Sequence, residues 1–191
     1  MKSVAIAAVL VCAMAGAAEA KDLGERGALS INGSFQLSLA SVSNSNGSGD
    51  STTSITVAPN GDYFVVPNLS VGGGVSFNYT KVGDADNTNI GLLGRVGYYL
   101  PIGSAGIWLQ AGLAYSHGVT GYDFGLFSTS AEIDSVAVQV YVPICLHLAP
   151  GFFFGIGPVL SQELYHDDGV ASTDDGKVRI LGIASMVGGV W

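Results

Sequence analysis

Charge is the scarcest property of this 191-residue chain: only 12% of residues are Asp, Glu, Lys or Arg, and just seven of them are cationic. A soluble domain carries about 25% charged residues, so an ordinary water-exposed surface is excluded over most of the molecule. Nucleic-acid binding is disfavoured too, because seven cations scattered against 15 acids, net charge −8, make no basic patch. There are two cysteines, Cys12 and Cys145. Loss of the first with a leader would leave the second without an intramolecular partner, which excludes a disulfide framework. After residue 20 no run of 18 consecutive apolar residues occurs, which argues against membrane helices. Yet 48% of residues are hydrophobic and mean hydropathy is +0.44. High hydropathy without long apolar runs points to strands.

The N-terminus has Lys2, an apolar run from Val4 to about Met14, and small residues ending Ala18, Glu19, Ala20. This is the plan of a secretory signal with an A-x-A cleavage site before Lys21. Bulky Val11 before Cys12 argues against a lipidation site. Residues 21–191 are then one exported domain. Lys21 to Gly27 reads as a short charged lead-in.

The clearest strand signal is Leu69–Thr80. Leu69, Val71, Gly73, Val75, Phe77 and Tyr79 alternate with Ser70, Gly72, Gly74, Ser76, Asn78 and Thr80, one face apolar and one small and polar. The pattern recurs from Leu29, from Ile55, from Ile90, from Ile107, from Val136 through Leu148, from Phe152 and from Val178, giving eight strands. Pro59 and Gly61 suggest a bulge in the second. A tilted strand of about 9–11 residues crosses the hydrocarbon of a bilayer.

The connections alternate in length. Ser41–Thr53, Val82–Asn89, Gly118–Glu132 and Asp167–Gly176 read as long polar loops, and the turns near Pro67, Pro101–Ala105 and Ala149–Gly151 as short ones. Long outer loops and short inner turns are the asymmetry of a bacterial outer-membrane barrel. Aromatics test this reading, because such barrels carry girdles at both interfaces. Tyr63, Tyr98, Trp108, Phe152, Phe154 and Trp191 are expected in the periplasmic girdle, and Phe77, Tyr79, Tyr115 and Tyr165 in the extracellular one.

The segments PNGDYFVVPN (59–68), VGYYLP (96–101) and FFFGIGP (152–158), with the terminal aromatic Trp191, resemble the small outer-membrane β-barrel domain family of Gram-negative bacteria. The resemblance covers the whole mature chain. It implies an all-β, eight-stranded antiparallel transmembrane β-barrel in the bacterial outer membrane, porin-like or structural, with no shared catalytic residues. It also implies insertion by the barrel-assembly machinery through the last strand. Gly189 departs from the usual signal, standing where a second aromatic or apolar residue is common.

An eight-stranded lumen is just wide enough to be filled by side chains, so the expected filling is Arg95, Gln110, Gln139, Tyr141 and Glu163. Buried charge needs a partner, and Arg95 with Glu163 is the candidate pair. Cys145 and His147 share the lumen face but have no third group to make a nucleophile or a zinc site. Neighbours Ser116 and His117 point to opposite faces, so they make no hydrolase triad. Asp84 with Asp86, Asp167 with Asp168, and Asp174 with Asp175 lack the rest of a calcium loop, and Gly72–Gly74 precedes no helix that would make a phosphate loop.

The expectation is therefore a monomeric barrel with no cofactor, metal or catalytic residue, facing outer-membrane lipid and lipopolysaccharide, with a structural or surface-interaction role. The alternative is a narrow channel for small or hydrophobic solutes, which needs a gap near glycines 72–74 and 155–157. A lipid A-modifying enzyme and a soluble periplasmic barrel rank below both.

Overall fold

The computed structural model describes residues 21–43, 49–82, 85–123, 128–167 and 179–191, without the side chains of 35–43, 49–51, 122–123 and 128–129. Residues 1–20, where the signal peptide is expected, with Cys12, and Asp84, Asp168, Asp174 and Asp175, lie outside the described residues, as do the side chains of Asp50 and Asp123.

The described residues form nine strand segments: β1 Leu29–Ser43, β2 Gly49–Val66, β3 Leu69–Val82, β4 Ala85–Ile102, β5 Ala105–Asp123, β6 Ser128–Tyr141, β7 Ile144–Ala149, β8 Phe152–Asp167 and β9 Arg179–Val190. Each pairs antiparallel with its neighbours, β6 and β7 together making one stave between β5 and β8. β9 pairs back onto β1 through Ser30↔Val190 to Gly33↔Val187. Leu29 and Trp191 then exchange both backbone hydrogen bonds, at 2.8 and 3.0 Å. The sheet thus closes into an eight-staved barrel, the β1–β9 seam being paired over Leu29–Gly33 and Val187–Trp191 among the described residues.

Period-2 alternation puts the apolar set outside. Ile183 is 79% exposed and Leu113 58%, while Trp108, Phe64 and Cys145, on the other phase of their strands, are 0% exposed. The inversion is sharp: most large apolar side chains lie on the outer surface, and the interior holds a small aromatic cluster with polar groups above it.

Three features depart from the sequence reading. The stave expected from Val136 to Leu148 is broken at Val142 and Pro143. Proline has no N–H to give the ladder, but flanking bonds hold the stave in line, Trp108 N donating to Pro143 O at 3.0 Å and Val142 N to Pro158 O at 3.0 Å. The bulge expected at Pro59–Gly61 is absent: β1 and β2 pair in unbroken register through these residues, and the irregularity lies between Phe64 and Val66, at the turn. Of the expected long loops, the described parts of the first three are strand, and the fourth beyond Asp167 lies outside the described residues. Ser41 pairs with Ser51, Asn87 with Thr120 and Val119 with Glu132. Hydrophobicity marks where a strand is bordered by an apolar medium, whereas the ladder of backbone hydrogen bonds decides where it ends. A polar hairpin continues beyond the apolar belt at no cost in buried polar groups. The 18 residues of β4 make about 60 Å of chain, far more than the apolar band of about 25 Å in membrane barrels.

The break leaves one backbone approach with no tolerance. A Cβ at Gly157 would stand 2.1 Å from Val142 O and 2.6 Å from Pro143 Cα, both backbone atoms. Gly157→Val is expected to abolish the folded, heat-shifted band in SDS gels after refolding, since the stave cannot yield without losing its remaining bonds to β8. Recovery of that band at the wild-type yield would contradict this packing.

Candidate functional site: the barrel lumen

The lumen has three levels, described from the end with the short turns upward. At the bottom, inward phase brings Phe64 from β2, Tyr99 from β4, Trp108 from β5, Cys145 from β7 and Phe153 from β8 together, each at most 1% exposed. Phe64 stacks on Trp108 with centroids 5.6 Å apart, and Phe153 meets Trp108 edge-on at 6.1 Å. Trp108 Nε1 donates to Ser70 Oγ at 3.3 Å. The lead-in 21–28 folds under this layer. Leu23 and Ala28 are buried, Asn68 N donates to Gly24 O, and Gly27 N to Phe64 O, both at 2.8 Å. Gly24 has φ +95°, and a Cβ there would strike the Tyr99 ring at 2.7 Å. The charged residues of this segment obscured its capping role; Leu23, Gly24 and Ala28 were the available signal.

Trp108 is therefore not part of a girdle. It sits on the inward phase of β5, between outward Ile107 and Leu109, and fills the lower lumen. Tyr63, Tyr98 and Phe152 are exposed on the outer face of the same end, and Phe154 and Trp191 are half-buried. At the opposite end Phe77, Tyr115 and Tyr165 are exposed outward and Tyr79 is half-buried.

The middle level is an ion pair that the sequence reading assigned differently. Arg95 does not reach Glu163. Its Nε donates to Asp62 Oδ1 at 2.9 Å and its Nη2 to Asp62 Oδ2 at 2.5 Å, a bidentate pair, and Nη2 also donates to Asn32 Oδ1 at 3.1 Å. Asn32 Nδ2 donates to Asp62 Oδ2 at 3.0 Å. Glu163 instead accepts or shares a proton with His166 Nδ1 at 3.0 Å, nearer the top. The register explains the choice: Asp62 pairs with Gly72, and Gly72 pairs with Arg95. The three stand at one height on adjacent strands, and a Cβ on Gly72 would lie 2.4 Å from Asp62 Oδ1. The missing side chain is the space in which the pair forms. Gly74 gives way in the same manner to Asn60, and Gly157 to the Val142–Pro143 backbone. These glycines thus admit neighbouring groups, and Gly74 also borders the cavity of the upper level. Arg95 Cζ also lies 5.9 Å from the Trp108 ring, joining the middle level to the bottom.

Above the pair, the described residues leave an open level. A cavity of about 240 Å³ lies above Arg95, bounded by Asn32, Asn60, Ser76, Ser116, Gln139 and Tyr141 among others. Tyr141 Oη donates to Ala184 O at 3.1 Å. Gln110 is 3% exposed, and neither its amide nitrogen nor its amide oxygen has a hydrogen-bond partner.

The remaining candidates are dispersed. Cys145 is buried in the aromatic layer, and His147 turns to Tyr99 instead, Nε2 to Oη 2.8 Å. Ser116 meets Ser135 inside at 2.8 Å. His117 meets Asp134 at 3.0 Å, and Asp134 also accepts from Tyr115 Oη at 2.7 Å. Asp167 accepts from Tyr165 Oη at 3.1 Å. Among the described residues, no three His, Cys, Asp or Glu side chains gather as a metal site would require.

The backbone is similar to the crystal structure of Neisserial surface protein A, with a TM-score of 0.43 and 12% identity over 85% of this chain and 94% of that one. No protein-family model and no curated protein matches the sequence.

Proposed function

We propose that the chain is an exported outer-membrane β-barrel whose lower lumen is sealed by side chains, and that its role is structural or surface-interacting instead of catalytic. One observation carries this reading: among the described side chains the large apolar residues lie mostly on the outward phase, as with Ile183 at 79% exposure, while Arg95, Asp62, Gln110 and Glu163 are turned inward and buried. In water such a surface would be an aggregation hazard many times larger than the apolar patches of soluble monomers; in lipid it is the required solvent contact. Pairing of β9 back onto β1 over residues 30–33 and 187–190 closes the ring, as a bilayer-spanning sheet requires.

On this reading residues 1–20 are the export signal, removed after Ala20, and the barrel-assembly machinery inserts the chain as a monomer. Its neighbours are outer-membrane lipid and, at the end with the long connections, lipopolysaccharide. The upper cavity favours one second reading, a narrow path for small solutes, which would have to pass both the Arg95–Asp62 pair and Trp108.

Electrophoresis of the outer-membrane fraction, boiled and unboiled, tests the first reading. The mature chain is expected there, with a heat-dependent mobility shift that marks an SDS-resistant closed barrel. A chain found soluble in the periplasm, with no shift, would overturn it.

A further inference from the structure

We infer that the upper cavity opens sideways into the bilayer through the seam between β1 and β9, and that this port admits a fatty carboxylate, its head in the cavity and its tail among the lipids. The inference rests on the membrane-barrel reading, and three observations carry it.

The first is the backbone of the seam. β1 pairs with β2 along its whole length and β9 with β8 from Arg179 to Gly189, but β1 and β9 pair with each other only as far up as Gly33↔Val187. Above that level, among the described residues, no ladder joins 34–43 to 179–186. This part of β9 stands between the height of Phe152, which pairs with Gly189, and that of Tyr165, which lies beyond the Gln162↔Arg179 pair. The gap is therefore at hydrocarbon depth, between the two girdles. Unpaired backbone is tolerated at that depth where it lines a water-filled cavity. Here it does: Gly33 and Ser34 on one edge, and Ala184, Ser185 and Met186 on the other, all border the upper cavity.

The second is the apolar margin of the gap. Leu181 and Ile183, at 77% and 79%, are the most exposed large apolar side chains among the described residues, as follows from the missing neighbour on the β1 side. Ile180 shares the inward phase of buried Met186 and Val190, yet it is exposed too. An apolar path thus runs from the lipid-facing surface round the edge of β9 to Met186 and Val159 in the cavity wall.

The third is charge. Among the described residues bordering the cavity Arg95 alone is charged, and Asp62 is not one of them. Arg95 Nε and Nη2 make the bonds to Asp62 and Asn32, which leaves Nη1 as an uncommitted donor. A guanidinium only donates, so the head it selects is an acceptor, and a carboxylate makes the stronger, charge-assisted bond. The Arg95–Asp62 pair stays intact throughout.

Photo-crosslinking in lipid vesicles is the test, with palmitic acid carrying a diazirine near its carboxylate as the probe and peptide mass spectrometry as the readout. Adducts are expected on Tyr141, Val159 or Met186, displaced by unlabelled palmitate and at least about tenfold less well by the matching alcohol. Asp62→Leu with Arg95→Met should remove these adducts and keep those on outward Leu109 and Leu113. Continuing the paired register sets Leu37 opposite Ile183, so Leu37→Cys with Ile183→Cys is expected to form a disulfide across the port. Labelling of the cavity should then fall by at least about tenfold and return on reduction. Should that disulfide not form, Ala184→Phe, which places a ring in the port, should give the same loss. The proposal is overturned by a heat-shifted barrel with no saturable adducts in the cavity, by equal displacement with the alcohol, or by cavity labelling that survives the closed port or the loss of Arg95. The heat shift reads barrel formation separately, so a failed port and a failed barrel give different results.

Discussion

Asp62→Ala is expected to destabilise the barrel by about 3 kcal/mol, the low end of the cost of leaving a buried ion-pair partner uncompensated. Asp62 is 1% exposed, and the Arg95 side chain 7%. Removing the carboxylate strands a guanidinium between the Trp108 ring below and the amide of Asn32 beside it. The low end applies because Arg95 also borders the upper cavity, so water entering there recovers part of its hydration. A matched replacement behaves differently. Asp62→Leu combined with Arg95→Met removes both charges and leaves shapes of similar bulk, and is expected to lie closer to the wild type than Asp62→Ala does, since such exchanges are often neutral. Urea unfolding of the barrel in lipid vesicles, followed by tryptophan fluorescence, measures all three. A fall of less than about 1 kcal/mol for Asp62→Ala would mean that Arg95 is effectively solvated, and the middle level would then be no barrier at all.

This pair also shows where reading the sequence stopped. Inward and outward phases follow from alternation alone, and the eight staves with their outward apolar residues were legible because one face of each meets a single uniform medium. Pairing across the lumen is a different kind of fact. It needs the height of each residue, which depends on register, and register follows from the turns. The tight turn between Val66 and Leu69 places Asp62 beside Gly72, and the turn at Ile102–Ala105 fixes β5 against β4 in the same way. Without that step the sequence points to Glu163 as the partner of Arg95, and Asp62 goes unnoticed. Trp108 was misplaced for a related reason: position near a strand end suggested a girdle, while its phase, opposite to Ile107 and Leu109, already pointed inward. Strand ends were the least legible feature. Polar hairpins carry no hydrophobic signal, so Ser41–Thr53 and Gly118–Glu132 read as loops although the described backbone of each is paired.

The wild-type barrel is expected to be silent in planar bilayers, and Trp108→Ala to give small, discrete conductance steps at the same protein density. Trp108 is the central piece of the lower seal, touching Phe64 on one face and Phe153 at its edge, with Arg95 above it. An eight-stranded lumen is only about as wide as the side chains that fill it, so deleting the largest of them leaves a gap the closed ladder cannot shrink to remove. The truncation costs about 3–5 kcal/mol, a large part of the about 5–15 kcal/mol that usually holds a domain folded, which is why one aromatic is removed and not two. Tyr115→Ala, a comparable truncation on the outer face, controls for loosening of the barrel as a whole and should remain silent. With Trp108 gone, the Arg95–Asp62 pair remains as the next described barrier above it. Asp62→Leu with Arg95→Met added to Trp108→Ala should therefore change the ion preference of the steps. A conducting wild type would mean that the aromatic layer does not seal, and the narrow-channel reading would replace the structural one. A heat-shifted Trp108→Ala barrel that stays silent would move the seal elsewhere, to the segment 21–28 folded beneath it.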